Sequence, residues 1–269
     1  MKKFLIIPLI LLSFFSFPAW ANNFSTGLAA YERGDFATAL RVWTPLAEQG
    51  DEKAQYGLGQ IYIKTYAVAE DGEAAAKWFK LAAEQGHGSA QYNLGVMYSA
   101  GKGVAQDHKA AFKWYSPAAE QGHTGAQYNL GAMYYEGNGV PEDHKIAVKW
   151  FRFAAEQGHV SAQYNLGVMY TKGQGVSVDD KAAFKWYSLA AEQGHTGAQT
   201  NLGFMHVTGE GVPQDNLYAH MWWNIAASSG KNEKAAQSRE VLEQEMTAAE
   251  IAEAEKLARE CIARGLKGC

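Results

Sequence analysis

Residues Gly122–Gln157 read GHTGAQYNLGAMYYEGNGVPEDHKIAVKWFRFAAEQ, and the same passage, lightly reworded, stands before and after it in the chain. Trp43, Trp78, Trp114, Trp150, Trp186 and Trp222 mark the copies, separated by 35 residues once and by 36 four times. One globular core has no use for such a period. A stack of short supersecondary units does, because each unit buries its apolar face only against its neighbours. The chain therefore reads as a repeat array whose function lies on a stacked surface rather than in one deep pocket.

Each copy reads as two helices. The first carries A-Q-Y-N-L-G-x-M-Y, at Ala90–Tyr98, Ala126–Tyr134 and Ala162–Tyr170, with variants from Ala54 and Ala198. Ala90, Leu94 and Tyr98 follow i, i+4, i+8 spacing and share one helical face. Gly95 interrupts that face at a cost of about 1 kcal/mol relative to alanine. Its recurrence as Gly59, Gly131, Gly167 and Gly203 predicts a backbone that another helix must approach closely. A glycine loop follows, Gly101-Lys102-Gly103-Val104 in one copy and Gly137-Asn138-Gly139-Val140 in the next. Its glycines should take positive φ and its valine should plug into the core. Asp71, Asp107, Asp143, Asp179 and Asp215 then arrive on schedule as N-caps of the second helix, or one residue ahead of the cap. That helix places Ala110, Trp114 and Ala118 on one face before a Glu-Gln-Gly turn, with tryptophan expected to pack opposite the small residues. The unit is an αα-hairpin. Pro117 sits late in one second helix and should bend it.

The flanks depart from the repeat. Lys2 and Lys3 precede an apolar run from Phe4 to Pro18 that is short for a membrane span, and Ala19-Trp20-Ala21 offers a small-x-small cleavage pattern. Residues 1–21 thus read as a secretory signal with a mature start at Asn22, and no cysteine follows the cut to take a lipid anchor. Residues 22–50 form a degenerate capping repeat. Phe24–Arg33 makes one helix, Gly34–Asp35 a tight turn with Asp35 as cap, and Phe36–Glu48 a second helix bent at Pro45. Five regular copies fill 51–230. In the first of them the stretch from Ile63 to Asp71 lacks the glycine loop and reads as one residue shorter. Residues 231–269 leave the repeat for two amphipathic helices, Asn232–Glu245 and Thr247–Arg264. Thr247 and Glu250 form a capping box, and Ile251, Leu257, Ala258 and Ile262 an apolar face to seal the stack. Cys261 and Cys269 lie in this tail. In an exported chain they suit a disulfide that ties the tail down, with a free thiol or a cysteine-linked dimer as the other options.

Composition narrows the chemistry. Without Lys2 and Lys3 the chain has 22 basic against 28 acidic residues, a formal charge of −6 with no basic block. That excludes a nucleic-acid partner, which needs a concentrated positive face. No stable membrane insertion is expected after signal cleavage, and no cofactor or metal is implied. His87, His123, His159 and His195 recur at 36 residues. Equivalent positions in stacked hairpins lie about 10 Å apart, too far to share one zinc ion. They read as turn residues bonding helix-end carbonyls, and His108 and His144 as solvent-facing. Ser99-x-x-Lys102 and Ser228-x-x-Lys231 match an acylation motif literally, but its S-D-N and K-T-G companions are missing. No catalytic residue is assigned.

The order A-x-x-x-L-G-x-x-Y, G-x-G-V, capping aspartate, W-Y and A-A-x-x-G, repeated at 36 residues, resembles the Sel-1-like repeat family, relatives of the tetratricopeptide repeat. The resemblance implies an all-α fold, a right-handed α/α superhelical solenoid of about six hairpins with C-terminal capping helices. It also implies an adaptor or scaffold, with exported bacterial members tied to envelope assembly, signalling or host contact. Registered on tetratricopeptide repeats, the L-G pair places Tyr92, Asn93, Val96 and Ser99 on the concave side. Tyr56, Gln60 and Ile63 follow from the same register, as do Tyr128, Asn129, Ala132 and Tyr135, then Tyr164, Asn165, Val168 and Thr171, then Thr200, Asn201, Phe204 and Val207. Tyrosine offers rigid amphipathic area and asparagine can pair with a peptide backbone, so a protein or peptide ligand is expected there. The copies differ most at Tyr135, Thr200 and Phe204. Cysteine-rich relatives of the repeat suggest an alternative, a cell-wall-directed or β-lactam-binding enzyme, although their cysteine pairs do not occur in this chain.

Overall fold

The computed structural model describes residues 24–65, 69–228, 230 and 232–269. The leader at 1–21 with its cleavage point, the middle of the irregular stretch after Ile63, and Lys231 lie outside the described residues. Those residues form α-helices without a strand: α1 Phe24–Glu32, α2 Phe36–Glu48, α3 Glu52–Lys64, α4 Ala69–Glu84, α5 Gly88–Ala100, α6 His108–Glu120 and α7 Thr124–Glu136, followed by α8 His144–Glu156, α9 Val160–Lys172, α10 Asp180–Ala191, α11 Thr196–Thr208, α12 Asn216–Ala227, α13 Glu233–Glu243 and α14 Ala248–Ala263. They group into two compact units, α1–α4 up to His87 and α5–α14 from Gly88. Within each unit consecutive helices pack as a solenoid of hairpins.

The caps account for the boundaries. Asp35 accepts from the Thr38 amide at 3.0 Å, Asp107 from Ala110 at 3.0 Å, Asp143 from Ile146 at 3.0 Å and Asp179 from Ala182 at 2.9 Å. Each satisfies an amide that the first helical turn leaves without a partner. The expectation for Asp71 does not hold, because α4 already begins at Ala69 and Asp71 falls inside its first turn. Nor is that stretch shorter than its counterparts, since Leu58 to Trp78 and Leu94 to Trp114 are equally separated. What differs is the missing glycine pair. Elsewhere Gly137 at φ +71° ends α7 and Gly139 at φ +77° turns the chain. A Cβ on Gly139 would lie 2.6 Å from the His108 backbone carbonyl, so the loop seats directly on α6. Val140 and Val176 enter the neighbouring apolar clusters, as the valine of the loop should.

Within the units two aromatic positions recur in each copy rather than the one that the tryptophans mark. Trp43, Phe79, Tyr115, Phe151, Tyr187 and Trp223 are buried and spaced evenly at 36 residues. These rings, not Trp78, Trp114, Trp150 and Trp186, rest on the helical glycines: a Cβ on Gly95 would come within 2.6 Å of Tyr115 and one on Gly131 within 2.8 Å of Phe151. The tryptophans one residue earlier are half-buried, and Trp150 and Trp186 pack on the cluster of the preceding hairpin. The single 35-residue step between Trp43 and Trp78 is thus a change of repeat position, from the ring that packs on glycine to the one before it.

Helices α2 and α6 both run through their prolines, Pro45 and Pro117. In the tail, Asn232 caps α13 and the Thr247–Glu250 capping box starts α14. Both helices pack on α12. The face that α14 buries is Ala254, Ala258 and Cys261, with Leu257 beside them. Ile262, expected on that face, is 49% exposed, because the buried stripe of α14 runs through Ala254, Ala258 and Cys261 and leaves it at the edge. A disulfide joins Cys261 to Cys269, eight residues apart. No free thiol remains for a cysteine-linked dimer.

Candidate partner-binding face of the first helices

Leu94, Leu130, Leu166 and Leu202 point the first helices α5, α7, α9 and α11 into the core. The residues two before, two after and five after each leucine then form a stripe along the rim of that face, half-buried except at Thr200, which is buried, and Thr171, which is exposed. Three cavities follow one another along it. The first, about 350 Å³, is lined by Tyr92, Val96, Ser99, Tyr115, Asn129 and Ala132. The middle one, about 330 Å³, lies among Tyr128, Tyr135, Phe151, Tyr164, Asn165 and Val168. The third, about 370 Å³, is bounded by Tyr164, Thr171, Tyr187, Asn201, Phe204 and Lys234. Ala132 and Glu136 border the first two, and Tyr164 and Val168 the last two, so the cavities share walls and form one row.

Most of the residues singled out in the sequence meet here: Tyr92, Tyr128, Asn129, Tyr135, Tyr164, Asn165, Asn201 and Phe204. Three do not. Asn93 is half-buried on α5 but borders none of the three cavities. Tyr56 belongs to the other unit, where it stacks on His87 at 4.4 Å and bonds Gln60, which also accepts from Tyr31 at 3.0 Å. Thr200 is buried and gives a partner no surface. Its hydroxyl donates to Thr196 and accepts from Asn232 at 2.8 Å, while the Trp223 indole donates to its carbonyl at 3.0 Å. The start of α13 occupies the place a ligand would need.

The recurrent histidines do bond helix-end carbonyls, through their backbone amides: His87 to Ala82, His123 to Ala118, His159 to Ala154 and His195 to Ala190, at 3.0 to 3.1 Å. Three of them are N-caps as well. The Nδ1 of His123, His159 and His195 accepts the Ala126, Ala162 and Ala198 amides at 3.3, 3.2 and 3.1 Å. Each ring also stacks on the tyrosine of the preceding first helix, Tyr92, Tyr128 and Tyr164, with centroids 4.3 to 4.4 Å apart. One face of every groove tyrosine is therefore held by the scaffold. Partial burial holds these histidines below the usual imidazole pKa, against a raising hydrogen bond to their own backbone. His108 borders the first cavity, and His144 stacks on Tyr135 at 5.0 Å, so both are half-buried rather than solvent-facing.

A second joint had no reading in the sequence. Gln127, Gln163 and Gln199 are buried, and their amides donate to Ala119, Ala155 and Ala191. The Glu-Gln-Gly glutamines Gln157 and Gln193 then donate to the Oε1 of Gln127 and Gln163 at 2.6 and 2.8 Å. The A-Q-Y and E-Q-G signatures, always 30 residues apart, were the available signal.

The floor of the row is polar in places. Burial pushes the Tyr115 hydroxyl up to about 12, offset in part by Asn129 and Ser99. Burial likewise raises Tyr187, with Thr171 and Asn201 acting against it. Both phenols stay protonated near neutral pH and act as hydrogen-bond donors. Ser99 ends in this first cavity, but Lys102 lies in the loop beyond α5, so the pair does not stand one turn apart on a helix. Ser228 caps α12 and donates to Ile225 at 2.7 Å. Among the described residues no group of three or more acidic, histidine or cysteine side chains could hold a metal ion, and no helix is long and apolar enough to cross a membrane.

Residues 52–87, 88–123, 124–159, 160–195 and 196–231 each match the family model for the Sel1 repeat. Among solved structures the chain is similar to a protective antigen present in uropathogenic Escherichia coli strains displaying an SLR fold, at 35% identity and a TM-score of 0.80 over 92% of this chain and 56% of that one. It thus spans little more than half of that protein. A Sel1 repeat protein from Oxalobacter formigenes is 34% identical, with a TM-score of 0.72 over 78% of this chain and 86% of its own. No curated protein matches significantly.

Proposed function

The chain belongs to the Sel1 repeat family, whose members are typically protein–protein interaction scaffolds, and from that premise we propose that it is an exported, non-catalytic scaffold that grips a protein or peptide along the face of α5, α7, α9 and α11. The observation that carries this reading is the row of three wall-sharing cavities at equivalent positions of successive hairpins. Tyrosines braced from behind by stacked histidines give rigid amphipathic contact at low entropy cost, which suits recognition of an extended segment. The leader at 1–21 supports export to the periplasm or beyond, and the similarity to an E. coli protective antigen agrees with a place in envelope assembly, signalling or host contact.

A photo-crosslinking residue at Ala132, between the first two cavities, tests it in living cells. The expected result is a discrete adduct that Tyr128→Ala with Tyr164→Ala removes, while the same probe at Lys149 on α8 gives none. Equal adducts from both positions, or none from Ala132, would overturn the groove assignment. N-terminal sequencing of the mature protein from cell fractions, expected to start at Asn22, tests export.

A further inference from the structure

The three cavities are built from equivalent positions, and the middle one departs from the other two at two of them. Its floor is Phe151, where the first cavity has Tyr115 and the third has Tyr187. Its wall is Tyr135, where they have Ser99 and Thr171. In the first and third cavities a phenol hydroxyl on the floor answers the asparagine, Asn129 or Asn201. In the middle cavity no hydroxyl stands there for Asn165. Its amide, with two donors and an acceptor, is left facing a chamber of four aromatic rings, those of Tyr128, Tyr135, Phe151 and Tyr164. Tyr135 is held in its place by a hydrogen bond to Gln174 at 3.2 Å and by the stacked His144 ring.

The rims are charged, with opposite signs at the two ends. Glu136 borders the middle cavity on the α7 side and is exposed, with Asn138 donating to it at 2.6 Å. The third cavity carries Lys172 and Lys234 against the single acid Glu210. First helices of neighbouring hairpins lie about 10 Å apart. An extended chain advances about 3.3 Å per residue, so each hairpin spans about three residues of a ligand.

The geometry points to the middle cavity as the anchor of an extended peptide segment: one uncharged apolar side chain packs on Phe151 and Tyr135, Asn165 pairs with that residue's backbone, a basic residue about three positions away meets Glu136, and an acidic residue about three positions the other way meets Lys172 and Lys234. This deepens the groove reading above and rests on it. An acidic side chain is excluded from the chamber because its rim offers only Glu136. A hydroxyl-bearing sugar would find fewer partners here than in either flanking cavity, where Tyr115 and Tyr187 supply donors.

Labelled peptides Gly-Lys-Gly-Gly-Leu-Gly-Gly-Glu-Gly and the reversed sequence, titrated into the whole mature chain and followed by fluorescence anisotropy, test this. One of the two orders should bind, and replacing its leucine with aspartate should weaken binding at least tenfold. The double variant Phe151→Tyr, Tyr135→Ser gives this hairpin the residues that its neighbours already use, so folding is not at issue, and it should lose at least tenfold. Glu136→Lys should weaken the lysine-bearing peptide and restore binding when that lysine becomes glutamate. If leucine and aspartate peptides bind alike, or the double variant binds as the parent does, the anchor is wrong while the groove reading stands on the crosslink from Ala132. Binding of neither peptide overturns the anchor, as does a response to N-acetylglucosamine oligomers in their place. Loss of the Ala132 crosslink as well would sink both.

Discussion

His123, His159 and His195 each accept a backbone amide on Nδ1, which only the neutral ring can do. Partial burial lowers their pKa in the folded chain, so between that value and the unfolded value of about 6.5 the unfolded chain binds more protons. Their contribution to stability is full above pH 6.5 and lost as pH falls through the folded value. The melting temperature should therefore drop between pH 7 and pH 5. Asp51 holds the equivalent position of the first regular copy and caps α3 by accepting from Ala54 at 2.8 Å. Replacing the three histidines with aspartate should flatten that slope, and an unchanged slope would show that other groups set it. Glycine offers a second residue-scale expectation. Gly167→Ala would put a Cβ 2.5 Å from the Tyr187 ring and should cost about 1–3 kcal/mol in urea unfolding. The histidine position and its bond to the preceding helix end were visible in the sequence, but its cap on the next helix was not, because the residue after Glu-Gln-Gly both ends one turn and begins the next helix. Asp51, a common capping residue at the equivalent position of the first copy, held the clue.

Hairpin boundaries were legible because caps and left-handed glycines act within a few residues of themselves. Packing partners were not, because they lie about one repeat away. Phe79, Tyr115, Phe151 and Tyr187 vary in type while the tryptophans beside them do not, so the constant residue drew the eye from the deeper one. The glutamines were constant too, yet a polar residue in a helix gives no sign of its burial until its partner is placed. Gln163 now joins Ala155 to Gln193, and through it α9 to the turn after α10. Gln163→Ala removes one hydrogen bond from the Ala155 carbonyl, which keeps the Gly158 amide at 2.9 Å, together with the acceptor of Gln193, and should cost about 0.5–1.5 kcal/mol. Gln193→Ala should cost less, because Gln193 is exposed. The double variant should cost less than the sum of the two, and strict additivity in a double-mutant cycle would mean that the pair carries no coupling.

At the scale of the molecule, the groove followed from repetition, since one register gave the lining of three cavities at once. Its closed end did not, because the burial of Thr200 depends on Asn232 and α13, which belong to no repeat. The C-terminal helices therefore shape the face as well as seal it. Stability in such an array is a sum of local terms and nearest-neighbour interfaces, so damage at one end should stay there. The Cys261–Cys269 bridge closes a short loop whose chain-entropy contribution is about 2–3 kcal/mol. Cys261 itself packs with Ala258 beside Met221, Trp222 and Ile225, and the Gly268 amide donates to Glu192 at 3.3 Å. Reduction should thus loosen the tail and the last turns of α14 first. Measured by hydrogen exchange, amides from Ala258 to Cys269 should exchange at least tenfold faster in reductant, those of α5 to α8 should not change, and peptide binding at the middle cavity should persist. A uniform rise across α5–α14 would instead show one cooperative unit whose stability depends on its last bridge, and the groove would then be open to control by the redox state of the compartment.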